Sequence, residues 1–157
     1  MGKSPSGRNI LLAVTGSIAA YKAASVLRGL QRKGHLLQVV MTEAATHFVG
    51  KETFRALSGR PVRAELFPDE ETGRLVHIEL AEWTEVMAVV PATANVLGKF
   101  AKGIADDLVT CTWMACDRTK VVAPAMNDRM WASPAVQRNC ESLGESENCL
   151  FVGPEEG

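Results

Sequence analysis

Two stretches of this 157-residue chain finish an apolar run in Pro-Ala and then deliver an asparagine. Residues 121–123 (V-V-A) lead into Pro124, Ala125, Met126 and Asn127, with Met130 and Trp131 close behind. Residues 86–90 lead in the same way into P-A-T-A-N, from Pro91 to Asn95. Proline has no N–H to give a ladder, so each run should leave its strand there. An amide carried off a strand end beside Met and Trp can hold the polar group of a small ligand whose flat apolar part lies alongside. Two such ends suggest one pocket built twice along the same edge of a sheet. Asn95 and Asn127 also suit turn residues holding Pro-Ala bends, and Met126, Met130 and Trp131 also suit core packing. The recurrence favours binding.

A third candidate is Gly16-Ser17, where an apolar run over 9–15 turns into a helix. Unpaired N–H groups and the helix dipole favour an anion there, and Ser17 adds a hydroxyl. Only one glycine is present in G-S-I-A-A, so the G-x-G-x-x-G dinucleotide pattern is not met. A phosphate monoester needs less close backbone approach than a pyrophosphate. Strand two ends in Thr42 rather than an acidic residue, which makes an NAD-dependent dehydrogenase the weakest reading. His77 heads a short helical segment, H-I-E-L-A-E-W, and alone reads as a surface or capping residue; His35 and His47 carry no role. Asp106 and Asp107 are neighbours that do not face each other on a helix, so they read as charges at a helix N-terminus.

The elements that must position these groups alternate. Strands are expected over 9–15, 36–41, 86–90, 120–123 and 150–152. Helices are expected from 17 to Gly34 (with Ala19, Ala23, Val26, Leu27 and Leu30 on one face), over 44–57, 77–83, 96–102, from 106, and over 133–143. A charged connection over 62–75 reads as a surface loop. Regular alternation predicts one α/β domain, a doubly wound parallel sheet in three layers, α/β/α. In such sheets ligands bind at the carboxyl ends of the strands. Gly16, Thr42, 91–95 and 124–127 all fall there.

Composition narrows the field. A net charge of −1 gives no electrostatic case for nucleic acid or an anionic membrane. No apolar run reaches the length of a membrane span, and no secretion signal opens the chain, so the expected location is cytoplasmic. Cys111, Cys116, Cys140 and Cys149 have no C-x-x-C spacing and no His at ligand distance in sequence, so reduced thiols and no metal are expected. Residues 1–8 read as a disordered leader, although Gly2 and Ser6 fit a myristoylation pattern.

Taken together, G-S-I-A-A-Y-K-A, M-T-E-A-A, H-I-E-L-A-E-W, P-A-T-A-N, G-I-A-D-D-L and P-A-M-N-D-R-M-W resemble the homo-oligomeric flavin-containing cysteine decarboxylases. The likeness runs from about Ile10 to the last residue. It is strongest to the bacterial phosphopantothenoylcysteine decarboxylases, usually the N-terminal half of a bifunctional coenzyme A biosynthesis protein. It implies a flavodoxin-like fold over 9–157 that binds FMN, with sites between the subunits of a trimer and trimers often packed into a dodecamer. By match, Gly16, Ser17 and Ile18 hold the FMN phosphate. Thr42, Thr93, Ala94, Asn95 and Val96 line the phosphate and ribityl region, and Ala125 lies near the flavin. Asn127, with Ala125 and Met126, meets the substrate, Asn127 binding its carboxylate. His77 is the active-site base, acting on the flavin site of a neighbouring subunit.

The implied reaction is decarboxylation of 4′-phosphopantothenoylcysteine to 4′-phosphopantetheine. A β-thiol carboxylate loses carbon dioxide with difficulty because nothing stabilises the carbanion. Oxidation of the C–S unit to a thioaldehyde by FMN allows the carbanion to delocalise onto sulfur as an enethiolate, which is then reduced. An imidazole suits proton exchange near neutral pH. Two departures stand out: Val96 replaces the family's usual Thr, and the family's flap cysteine follows V-G-P-E-E-G, past Gly157, where Cys149 is no substitute. The flap and any ligase domain are therefore expected to be missing here. Other readings are a related flavoprotein decarboxylase or prenyltransferase with another substrate, and a non-catalytic regulatory subunit. Intact His77 and Asn127 speak against the last.

Overall fold

The computed structural model describes residues 2–67 and 75–154. Five parallel strands form one sheet in the order β2-β1-β3-β4-β5: β1 Asn9–Val14, β2 Leu36–Met41, β3 Val86–Ala92, β4 Thr119–Pro124 and β5 Cys149–Phe151. The central strands are apolar on both faces because both are covered. Successive residues point to opposite sides. Leu11 and Ala13 therefore join one core with Leu97, Leu108 and Val109, while Leu12 and Val14 join the other with Leu27 and Phe54. The result is the three-layer α/β/α arrangement expected from the alternation. Order β2-β1-β3 means that the chain leaves β1 to one side and later returns on the other, opening a crevice between the ends of β1 and β3.

The helices are α1 Lys22–Arg32, α2 Glu43–Thr46, α3 Lys51–Ser58, α4 Val76–Trp83, α5 Ala94–Lys102, α6 Leu108–Ala115, α7 Asp128–Trp131 and α8 Pro134–Gly144. Several expectations need correction. The first helix begins as a 3-10 turn, Ile18–Tyr21, which holds Ala19; Ala23 and Leu27 are buried in α1 and Val26 and Leu30 pack beside them. The single helix over 44–57 is two, α2 and α3. Gly50, a poor helix former, sits extended as the N-cap of α3, and Phe54 of α3 is fully buried, an anchor whose truncation costs about 3–5 kcal/mol. Only one proline ends its strand as expected: Pro124 is the last residue of β4, whereas Pro91 lies within β3. β3 accommodates this through a register shift between Val89 and Ala92, the place where a missing N–H is tolerated.

The connection over 62–75 is more than a surface loop. Arg63 bridges Val40 in parallel, exchanging backbone bonds with Val39 and Met41 at the outer edge of β2, and Leu66 packs against the core. Residues 68–74 of that connection lie outside the described residues. Residues 2–8 form no helix or strand but are tied down: Ser4 N–H donates to Gly34 O at 2.9 Å, and Lys3 meets Glu85 at 3.1 Å. The α5 stop at Gly103 is as read, with φ of 70° in the left-handed region that glycine tolerates. No helix among the described residues is long and apolar enough to cross a membrane.

Candidate functional site

The carboxyl ends of β1, β2, β3 and β4 open into one cleft of about 1040 Å³. Its walls include Gly16, Ser17 and Ile18 after β1, Thr42 after β2, Thr93, Asn95 and Val96 after β3, and Met126 after β4. The convergence expected from sequence is therefore present for these eight residues. The two Pro-Ala ends lie side by side, with Ala92 paired to Pro124 and Ala125 N–H donating to Ala92 O at 3.1 Å.

Three hydroxyls on this rim cap helix starts. Ser17 Oγ accepts from Ala19 N–H at 3.1 Å, Thr42 Oγ1 from Ala45 N–H at 3.2 Å and Thr93 Oγ1 from Val96 N–H at 3.2 Å. Each sits in extended backbone ahead of its helix, the geometry in which Ser and Thr satisfy orphan N–H groups. The cleft floor thus gathers helix N-termini and hydroxyls, an environment that favours a phosphate and polar chain. Gly16 lets the loop after β1 pack against α2, since a Cβ there would lie 2.5 Å from Ala44 Cβ.

Val96 is buried in α5 and Ala94 opens it, without itself lining the cleft. Ala125 and Asn127 also lie outside the cleft wall. Asn127 is exposed, and its Oδ1 caps α7 by accepting from Arg129 N–H at 2.9 Å, so the turn role and the binding role are both open to one amide. His77 is at the start of α4 and does not line the cleft of its own chain. Its Nδ1 is buried with no hydrogen-bond partner among the described residues.

Sequence reasoning missed several walls. Phe48, Lys51, Ala64, Glu65, Leu66 and Phe67 reach the cleft from α2–α3 and the edge segment beside β2, brought there by the Arg63 bridge that no local pattern announces. Ile18, Phe48, Phe67 and Met130 line it while 49–81% exposed, so the mouth presents apolar surface that something flat or another surface can cover. Thr15, buried beneath the rim, was read only as the end of a strand.

Asp106 and Asp107 also reach the cleft, and neither is an acid/base partner of the other. Lys99 pairs with Asp106 at 2.9 Å and, chiefly through that bond, holds its carboxyl below the usual range. Asp107 caps α6 in a reciprocal box with Thr110. The four cysteines are unpaired. Burial pushes the Cys111, Cys140 and Cys149 thiols up, away from the thiolate that nucleophilic chemistry needs. No group of three or more His, Cys, Asp or Glu among the described residues is placed to hold a metal ion.

Comparison with known proteins gives the family. A model of the family described as Flavoprotein matches residues 2–157. The chain belongs to the Flavoprotein family. Among its relatives in that family, the coenzyme A biosynthesis bifunctional protein CoaBC of Bacillus subtilis is 44% identical over 150 residues, covering 96% of this chain and 37% of the relative. The Escherichia coli protein of the same name is 38% identical over 154 residues, covering 98% and 38%. The chain thus spans less than two fifths of the length of either relative. Among solved flavoprotein structures, the FMN-dependent cysteine decarboxylase SpaF matches with a TM-score of 0.89 and 36% identity, over 96% of this chain and 86% of that one. A PPC decarboxylase mutant complexed with pantothenoylaminoethenethiol matches with a TM-score of 0.81 and 32% identity, over 95% and 82%. The flavodoxin-like fold is shared with these structures.

Proposed function

We propose that the chain is an FMN-dependent phosphopantothenoylcysteine decarboxylase, converting 4′-phosphopantothenoylcysteine to 4′-phosphopantetheine in coenzyme A biosynthesis. The observation that carries this is the rim on which three hydroxyl-capped helix starts, Gly16 and Met126 meet in one cleft at the sheet's crevice. Its size and its lining of hydroxyls beside apolar side chains fit a phosphate-bearing ligand with a flat apolar end. Gly16, Ser17 and Ile18 would hold the FMN phosphate, and Thr42 with residues 93–96 the ribityl chain. When bound, FMN supplies the two-electron chemistry that lets the cysteine carbanion be stabilised.

The protein's own residues bind and move protons. A carboxylate can only accept hydrogen bonds, and the Asn127 cap occupies the amide oxygen, so the NH2 end remains to donate to the substrate carboxylate. A neutral amide there adds no fixed charge opposing the loss of carbon dioxide. Ala125 and Met126 flank it on the same strand end. His77 is the base, and its absence from the walls of its own chain's cleft fits work on a neighbouring subunit's site. The exposed apolar mouth supports a homo-oligomer, a trimer or trimers within a dodecamer, with FMN between subunits. We place the activity in the cytoplasm and the FMN-binding domain over residues 9–157.

The test is mass spectrometry of the product formed from phosphopantothenoylcysteine by the purified chain supplied with FMN. Saturated 4′-phosphopantetheine or its enethiol, each lacking carbon dioxide, is expected. Unchanged substrate in the presence of bound FMN would reject this substrate assignment.

A further inference from the structure

Where the backbone ladder between β1 and β3 stops, one buried hydroxyl continues it. The pairing of these strands ends at Ala13 with Val89, and Pro91, which has no N–H, follows in the shifted stretch of β3. Two residues beyond Ala13, Thr15 is 1% exposed. Its Oγ1 donates to Pro91 O and accepts from Thr93 N–H at 3.1 Å, so one hydroxyl uses both of its capacities across the crevice. Thr93 in turn caps α5 through Val96 N–H. The Gly16-Ser17 loop and the 93–95 loop are therefore spaced by a single side chain lying between them.

We propose that Thr15 is a positioning residue for the cofactor: its hydroxyl sets the width of the crevice and aims the Thr93 cap, and this rests on the reading that the cleft binds FMN. Thr15 lies on the floor of the cleft, but its hydroxyl proton is committed to Pro91 O while its oxygen holds Thr93 N–H, so it acts through Thr93. Without the hydroxyl, Thr93 N–H and Pro91 O lose this partner at the sheet's switch point. The two loop tips that grip opposite sides of the ligand are then free to drift apart. A buried threonine with no such position provides the comparison: Thr112 Oγ1 bonds Leu108 O at 2.6 Å within α6, away from the cleft.

The experiment titrates FMN into FMN-stripped full chain, following quenching of flavin fluorescence, together with thermal melts of the same proteins without FMN. Thr15→Val should bind FMN about tenfold more weakly, since both bonds of the hydroxyl are lost and the Thr93 cap is no longer aimed. Thr15→Ser, which keeps the hydroxyl, should bind as the unaltered protein does. Thr112→Val should melt earlier with unchanged FMN affinity. Unchanged affinity in Thr15→Val overturns the inference, as does equal weakening in Thr112→Val or failure of serine to restore binding. Should Thr15→Val not fold, Thr15→Cys, a weaker donor, takes its place with the same expectation and the same refutation. An unaltered chain that takes up no FMN overturns both this inference and the cofactor assignment, which distinguishes the two failures.

Discussion

Gly16→Ala puts a methyl group where the structure leaves no space. A Cβ at position 16 would lie 2.5 Å from Ala44 Cβ, 3.0 Å from its carbonyl carbon and 3.3 Å from its Cα. Carbon atoms pack at about 3.5–4.0 Å, so the loop after β1 and the first turn of α2 must part by about 1 Å. Ala44 cannot rotate out of the way, because its only side-chain atom is fixed to the backbone. Overpacking of this kind costs about 1–3 kcal/mol, or about 2–12 °C in Tm for a chain of this size. The same parting moves Ser17 away from Thr42, two of the three capping hydroxyls on the rim, so FMN uptake falls with stability. Ala44→Gly alone weakens α2 by about 1 kcal/mol. Combined with Gly16→Ala it removes the 2.5 Å contact but leaves those at 3.0 and 3.3 Å, so rescue is partial. Thermal melts and FMN titrations of the four proteins in this cycle give the coupling directly. Wild-type stability and FMN uptake in Gly16→Ala, or strict additivity in the double variant, would refute the packing argument.

Further outcomes follow from other parts of the molecule. His77→Asn should abolish carbon dioxide release while FMN stays bound, read from labelled substrate and the flavin spectrum; turnover at the original rate would remove His77 from its role. Asp107→Ala deletes a cap whose Oδ1 accepts from Thr110 N–H at 2.8 Å and should cost about 1 kcal/mol in urea unfolding, with no loss at all counting against the capping box. Glu85 accepts from Asn9 N–H at 2.6 Å and pairs with Lys3, which together hold its carboxyl below the usual range. A depressed carboxylate contributes stability above its unfolded value and loses it as pH falls through the folded one. The stability gap between wild type and Glu85→Gln should therefore be widest near neutral pH and close on acidification; a gap that widens in acid contradicts the assignment.

What could be read from sequence was whatever a local pattern encodes. Continuous apolar runs such as I-L-L-A-V at 10–14 mark strands buried on both faces, and Gly103 and Asp107 mark where α5 stops and α6 starts. The rim was legible for the same reason: Gly16, Thr42 and Thr93 each follow such a run at once. Interruptions decided by tertiary packing were not. Gly50 was a local signal passed over inside an apolar stretch, whereas Arg63 finds its place only beside Val40. The walls from Phe48 and from 64–67 went unread because they reach the cleft from distant parts of the chain. Thr15 looks like a strand end until Pro91 and Thr93 are seen on either side of its hydroxyl. His77 is a different case: its position on α4 is readable, but it does not line the cleft of its own chain.

The central claim is that this cleft holds FMN, and the most direct measurement is the visible spectrum and flavin content of the chain after saturation with FMN and removal of the excess. One FMN retained per chain, with Ser17→Ala and Thr93→Ala each lowering retention, is the expected result. A protein that stays colourless at saturating FMN, or one that keeps its flavin undiminished in both variants, would contradict it.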